Sequence, residues 1–150
     1  MDIVRLNDDN KNKYINQLTE ILEGASTRLS TSAIECLVAL EGDVTEGFIV
    51  IDFSDGTFPM IDCIYVVPDR RYSGIGKALL DAAELMCIAS GYHNLSFVSH
   101  CRLSTKKNIF GHNVSQLMSF FENNGYFLTA VDLPPEEDLS IIRGNKVFYI

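Results

Sequence analysis

The sequence predicts an α/β domain of the α+β type, in which a mixed, mostly antiparallel central sheet of six to seven strands is flanked by about four helices. Apolar runs separated by glycine-containing turns fill residues 36–67 and are typical of an antiparallel meander. After residue 68, helical and extended patterns alternate. Because the composition does not shift along the chain, a single domain over residues 1–150 is expected.

The first third of the chain predicts a strand, two helical segments and a hairpin. Residues 2–6 alternate apolar and polar side chains, which indicates a short edge strand. Apolar residues recur at helical spacing within residues 7–22, and residues 30–37 favour a second, shorter helix. The runs at 36–40 and 47–53 then predict an antiparallel hairpin around a Gly-Asp pair.

The middle of the chain predicts a strand, a helix and a further strand. Residues 58–67 form the third strand of the meander, a helix runs to about Ser90 before Gly91, and residues 95–99 are extended. The apolar stripe of this helix is expected to face the core and comprises Ile75, Ala78, Leu79, Ala82, Ala83 and Met86. Its solvent-facing side is expected to carry Lys77, Asp81 and Glu84.

The last third predicts a loop, a capped helix and two strands. Residues 102–112 show no period and indicate a loop, after which Asn113 is a suitable helix cap. The final strands are expected at 126–131 and 146–150, joined by an acidic, proline-containing connection over 132–145.

Charge and cysteine usage exclude several classes of protein. A formal charge of −8 argues against broad nucleic-acid binding, which requires a cationic surface. No leader and no membrane-spanning apolar run is recognised, so a cytoplasmic protein is expected. Neither the histidines nor the cysteines have metal-ligand spacing, so no metal site is predicted. Reduced core thiols are the expected state of the four cysteines, which are Cys36, Cys63, Cys87 and Cys101.

The most informative stretch is "DRRYSGIGKALL" at 69–80. Pro68 ends the preceding strand, and a helix that begins within a few residues leaves its first N–H groups unpaired, which favours an anion there. Gly74 and Gly76 lack a Cβ, so a phosphate can approach the main chain. Three nearby side chains add positive charge: Arg70, Arg71 and Lys77. The stretch therefore predicts a pyrophosphate-binding turn, with an ordinary tight turn as the alternative.

Two common nucleotide motifs do not fit this stretch. A Walker-type loop needs Ser or Thr after Gly76-Lys77, where Ala78 stands. A dinucleotide fingerprint needs a third glycine where Leu79 stands. Nucleoside triphosphate hydrolysis and NAD binding are both disfavoured.

The run "CIYVVPDRRYSGIGKALLDAAE" resembles the acetyl-coenzyme A binding motif of the GNAT N-acetyltransferases. In that motif a strand ends in hydrophobic-Tyr-Val-x-Pro, and Arg/Gln-x-x-Gly-x-Gly/Ala then opens a helix. With the strand "GFIVIDF" and the later segment "FFENNGYF", the resemblance extends over roughly residues 34–130. It implies the GNAT fold and direct transfer of an acetyl group from acetyl-CoA to an amine of a small molecule or protein in one ternary complex.

The resemblance also implies which residues bind acetyl-CoA. Main-chain amides at the end of the strand would contact the pantetheine arm and polarise the thioester carbonyl, near Ile64, Tyr65 and Val66. The pyrophosphate would be held by Arg71, Tyr72, Ser73, Gly74, Ile75, Gly76 and Lys77. No metal cofactor is implied.

Asp62 is the candidate catalytic base. It falls where family members often carry a carboxylate that takes the proton of the amine, commonly through water. Regular alternation along the strand would place it on the same face as Ile64 and Val66. The alternative is a polar strand residue that is simply hydrogen-bonded.

The chain departs from the family at the leaving group. Phe121 aligns with the tyrosine that protonates the departing sulfur in many members, and phenylalanine has no proton to donate. This departure keeps open a second function, a weakly active or inactive GNAT-like module that binds CoA or a protein partner. The acceptor groove is expected between residues 23–28 and the connection at 132–139, and a homodimer is left open.

Overall fold

The computed structural model describes residues 1–14, 33–108 and 112–149, and it divides into two compact units, Met1–Tyr92 and His93–Ile150. The described part of the first unit contains four strands and one helix of several turns: β1 (Asp2–Arg5), β2 (Ile34–Glu41), β3 (Val44–Asp52), β4 (Met60–Val66) and α1 (Ile75–Ala89). Each strand pairs antiparallel with the next, which is the predicted meander. The hairpin between β2 and β3 turns at Gly42, whose φ of 61° suits glycine.

Helix α1 packs against the strands of the first unit and ends before Gly91, as predicted. Half of the predicted stripe is buried, namely Ile75, Leu79 and Ala83, whereas its other three residues are half-buried. Leu80 and Cys87 complete the buried face instead. Glu84, predicted to face solvent, is instead 8% exposed.

Among its described residues, the second unit contains four strands and one α-helix: β5 (Asn94–Arg102), β6 (Lys107–Asn108), α2 (Val114–Asn123), β7 (Phe127–Asp132) and β8 (Leu139–Val147). Strand β8 lies between β5 and β7, β6 pairs with β5, and these pairings are all antiparallel. The side-chain oxygen of Asn113 accepts hydrogen bonds from the N–H groups of Ser115 at 2.9 Å and Gln116 at 3.4 Å, which confirms the predicted helix cap.

Three predicted elements differ from the structure. Residues 34–37 belong to strand β2 rather than to a second helix, because they complete the ladder to β3. The predicted loop at 102–112 contains the short strand β6. Residues 139–145, predicted as part of a connection, form most of β8, whereas Phe148 and Tyr149 lie beyond it.

The fold class is confirmed in its main features. The described residues hold eight strands, one more than the upper prediction, and the additional one is the two-residue β6. They hold two α-helices of several turns, and residues 11–14 are also helical. The rest of the predicted first helix lies outside the described residues. Over the ranges that the structure describes, no helix has the length and apolar character needed to span a membrane.

All four cysteines are free thiols with buried side chains. Burial raises the pKa of Cys36 from 9.0 to about 12 and likewise that of Cys87 from 9.0 to about 12. A raised folded-state pKa means that these thiols favour the folded state below about pH 9, and that this contribution is lost as the pH rises towards 12.

We expect a thiol reagent such as Ellman's reagent to modify none of these cysteines rapidly in the native protein at pH 8, because the reagent attacks thiolates that it can reach. The same protein in concentrated guanidinium chloride should show all four thiols. One thiol that reacts rapidly in the native protein would contradict this expectation and would indicate an accessible nucleophilic cysteine.

Candidate active site

Strand β4 carries an extra residue at Asp62. The register with β3 passes from Cys63 opposite Val50 directly to Ile61 opposite Ile51, so Asp62 has no Cα partner in the ladder. This is a β-bulge, a feature that re-aims a side chain and is common beside active sites. The alternation argument that placed Asp62 on the face of Ile64 does not apply across the bulge.

Asp62 is half-buried and lies between the buried residues Ile61 and Cys63. Its side chain is therefore partly within reach of solvent, unlike the apolar side chains that flank it. A carboxylate placed in this way can accept a proton directly or through a water molecule, which is what a general base must do.

The turn after β4 is tied back to the strand by Arg71. Its Nε donates a hydrogen bond to the Val66 carbonyl at 2.9 Å, and its guanidinium carbon lies 5.4 Å from the centre of the Tyr65 ring. Tyr65 in turn stacks on Phe48 with the ring centres 5.7 Å apart. Arg71 therefore fixes the start of the turn relative to the end of β4.

Helix α1 opens at Gly74, which adopts a φ of 89° that other residues rarely accept. The first helical hydrogen bond runs from the Ala78 N–H to the Gly74 carbonyl at 3.0 Å, so three N–H groups precede it, those of Ile75, Gly76 and Lys77. Gly74 has no side chain that could cap them, and a Cβ built there would meet no atom within 4 Å. The helix mouth thus combines main-chain donors with open space.

Two of the three cations near this mouth are paired with carboxylates. Arg70 Nη1 lies 3.8 Å from Glu46 Oε1, and Lys77 Nζ lies 2.8 Å from Asp81 Oδ2. The hydrogen bond from Lys77 to Asp81 raises the pKa of Lys77. The sequence predicted that these cations add positive charge at the turn, and their pairing with acids reduces that contribution. The main-chain N–H groups at the start of the helix are consequently candidate anion-binding groups in their own right.

Two residues of this region were missed by the sequence analysis. Glu46 has a side chain only 11% exposed and pairs with Arg70 across the turn. Gly47 faces Val66 in the ladder, and a Cβ there would lie 2.6 Å from the Tyr65 carbonyl oxygen and 3.3 Å from Leu79 Cδ1. The available signal was a glycine inside an apolar strand pattern, which indicates close approach of another backbone.

Phe121 lies in the core of the second unit. It is 1% exposed, its ring centre is 3.7 Å from that of Phe97, and Tyr126 packs edge-on against it at 5.2 Å. The ring therefore has a packing role there, and it has no proton to transfer.

The acidic connection at 132–139 is built around Asp138. Its carboxylate accepts hydrogen bonds from the Ser104 N–H at 2.7 Å and the Ser104 hydroxyl at 2.6 Å, which hold its pKa below the ordinary value. Glu136 and Glu137 remain exposed. The other predicted border of the acceptor groove, residues 23–28, lies outside the described residues. Within the described ranges, no cluster of three or more His, Cys, Asp or Glu residues has a geometry suited to a metal ion.

The first unit of this α+β protein thus joins a bulged strand to a helix that opens at a glycine, with three N–H groups ahead of the first helical hydrogen bond. Residues 32–126, more than half of the chain, match the family model described as the acetyltransferase (GNAT) domain, and the chain belongs to this family. The resemblance inferred from the run at 63–84 is thereby confirmed.

Solved structures with the same fold include several acetyltransferases. An aminoglycoside 6'-N-acetyltransferase complexed with coenzyme A superposes with a TM-score of 0.76 at 17% identity, over 100% of this chain and 98% of its own. The aminoglycoside 6'-N-acetyltransferase from Enterococcus faecium gives 0.75 at 18%, over 100% and 98%. A protein from Bacillus anthracis str. Ames assigned as a streptothricin acetyltransferase, in complex with acetyl coenzyme A, gives 0.63 at 19%, over 80% and 65%. No curated protein sequence matches the chain.

Proposed function

We propose that this protein is an acetyl-CoA-dependent N-acetyltransferase that transfers the acetyl group directly to an amine of a small molecule or protein. The observation that carries the proposal is the helix mouth at Gly74, with its N–H groups ahead of the first helical bond, in a chain of the GNAT family. The proposal includes a single acyltransferase domain over residues 1–150 and a cytoplasmic location.

Acetyl-CoA is proposed to bind along the end of β4 and at the mouth of α1. The N–H groups of Ile75, Gly76 and Lys77 would hold the pyrophosphate, supported by the positive end of the helix dipole. Main-chain groups of Ile64, Tyr65 and Val66 would contact the pantetheine arm. The proposed role of Arg71 is to fix the turn, because its Nε is already bonded to the Val66 carbonyl at 2.9 Å.

Asp62 is proposed to take the proton of the acceptor amine, directly or through water. An ammonium ion has no lone pair, so the amine must lose a proton before it attacks the thioester carbonyl. Asp62 suits this role because it is a half-buried carboxylate on a bulge rather than a regular ladder residue. The N–H groups near the end of β4 would stabilise the carbonyl oxygen as it gains negative charge.

Release of CoA does not require the missing tyrosine. A thiol has a pKa of about 8.5, so at neutral pH the free thiolate is disfavoured by only about 2 kcal/mol. Since a positioned general acid typically supplies roughly 10²- to 10⁴-fold, Phe121 predicts a slower enzyme or another proton donor rather than an inactive protein. Nearby hydroxyl groups in the sequence belong to Ser115, Ser119 and Tyr126.

Calorimetric titration with acetyl-CoA tests the binding step. We expect heat for the wild type and at least about tenfold weaker binding for Gly76→Asp, because a carboxylate in the first helical turn would repel the pyrophosphate. Asp is tolerated in the first turn of a helix, so this variant should fold. Thr57→Asp, which adds the same charge in an exposed turn, is the matched control.

Turnover is then measured as CoA release with a panel of amines that includes aminoglycosides, polyamines and lysine peptides. We expect at least one amine to accelerate release above the rate of spontaneous hydrolysis. A properly folded wild-type protein that shows neither heat nor thermal protection with acetyl-CoA would overturn the proposed function.

A further inference from the structure

Tyr72 adopts a backbone conformation that a bulky side chain rarely accepts. Its φ is 64°, in the left-handed region, where Gly, Asn and Asp are favoured and an aromatic residue is strained. Its side chain is nevertheless 85% exposed. Folding alone gives no reason for a tyrosine here, since Gly or Asn would adopt the same turn with less strain. Such strain is typical of residues kept for function.

The strained conformation is imposed by the residues on either side. Arg71 is anchored through Nε to the Val66 carbonyl, and its N–H donates to the Pro68 carbonyl at 3.3 Å. On the other side, the Ser73 hydroxyl donates to the Arg70 carbonyl. The turn is therefore held at both flanks of Tyr72, so its backbone is fixed while the ring is directed into solvent.

The ring lies two residues before Gly74, where the helix mouth opens. In CoA the pyrophosphate connects the pantetheine arm to an adenosine 3'-phosphate. If the pyrophosphate lies at this mouth, the adenine is separated from it by only one ribose. An exposed aromatic ring is a suitable platform for a nucleobase, because every base has a π-face that can stack.

We propose that Tyr72 binds the adenine of CoA by stacking, which makes it a specificity-determining residue for the nucleotide half of the cofactor. This inference rests on the proposed function, because it requires the pyrophosphate to lie at the mouth of α1. It assigns Tyr72 a role beyond the main-chain phosphate contact expected from the motif.

The test compares two ligands by calorimetry, CoA and 4'-phosphopantetheine, which lacks adenosine. Removal of the ring in Tyr72→Ala should weaken CoA by about 5- to 150-fold, the range found for loss of one base–aromatic stack. The same variant should bind 4'-phosphopantetheine with unchanged affinity. Tyr72→Phe keeps the ring without the hydroxyl and should bind CoA within about twofold of the wild type, which separates stacking from hydrogen bonding.

The Tyr72→Asn variant tests the backbone strain at this position through its melting temperature. Asn tolerates the left-handed region, so this variant without ligand should melt about 2–4 °C above the wild type while losing CoA affinity as Tyr72→Ala does. Three outcomes would each overturn the inference. In the first, Tyr72→Ala binds CoA as tightly as the wild type, and in the second it loses affinity for both ligands equally. In the third, Tyr72→Phe binds CoA as weakly as Tyr72→Ala does. A wild type that binds no CoA would instead overturn the proposed function on which it rests.

Discussion

We expect the Asp62→Asn variant to bind acetyl-CoA with wild-type affinity but to transfer the acetyl group about 10²- to 10⁴-fold more slowly, the usual contribution of a positioned general base. Asparagine has nearly the same shape as aspartate but cannot take up the proton of the amine at neutral pH. Because Asp62 is the extra residue of a bulge, outside the Cα register of β3 and β4, we expect the exchange to leave that register unchanged. Calorimetry and steady-state CoA release measure the two effects separately.

Asp69→Asn is the matched control, since Asp69 is an exposed carboxylate in the turn that follows the same strand. It should leave kcat within about twofold of the wild type, which is the expectation for an exposed carboxylate that takes no part in proton transfer. An Asp62→Asn variant with unchanged kcat would show that Asp62 is a structural polar residue and not the base.

We expect Gly144→Val to lower the free energy of unfolding by about 3 kcal/mol, at the upper end of the usual cost of overpacking. A Cβ at Gly144 would overlap Cε1 of Phe97 and lie 2.7 Å from Leu128 Cδ2. Phe97 cannot move easily, because its ring is stacked on Phe121 with the ring centres 3.7 Å apart. Urea denaturation followed by circular dichroism measures the change.

A double-mutant cycle identifies the cause of that loss. If the overlap with Phe97 is responsible, Gly144→Val combined with Phe97→Ala should be less destabilising than the sum of the two single changes, because truncation of the ring vacates the space that valine needs. Strict additivity would show that the clash with Phe97 is not the source. A Gly144→Val protein as stable as the wild type would contradict the packing itself.

The same glycine explains why the end of the fold was mispredicted. Gly and Asn are typical turn residues, so Gly144 and Asn145 led to the prediction of a connection over residues 132–145. Gly144 and Asn145 lie in β8 because the ring of Phe97 covers the glycine, which has no side chain. This contact joins residues that are far apart in sequence. The meander, helix α1 and the Asn113 cap depend on nearby residues, and these were predicted correctly.

The same distinction between local and long-range contacts applies to the candidate site. The helix mouth was predictable, because a proline, two glycines and the start of an apolar helix follow one another within residues 68–80. The bulge at Asp62 was not, since it depends on how β4 aligns with β3. Nor did the sequence reveal that Glu46 would pair with Arg70, because these residues are far apart in the chain. The pair of Lys77 with Asp81 has i,i+4 helical spacing, which was an available signal.

Strand β4 is one residue longer than its ladder needs. Ile61 and Cys63, which flank position 62, lie opposite Ile51 and Val50, and these two residues are adjacent in β3. A chain lacking residue 62 would therefore form an uninterrupted hairpin. The Cα register of the hairpin therefore does not depend on which side chain stands at this position. We expect glutamate at position 62 to keep the register of both flanks, so the length of the acidic side chain can be varied while the strands stay in place.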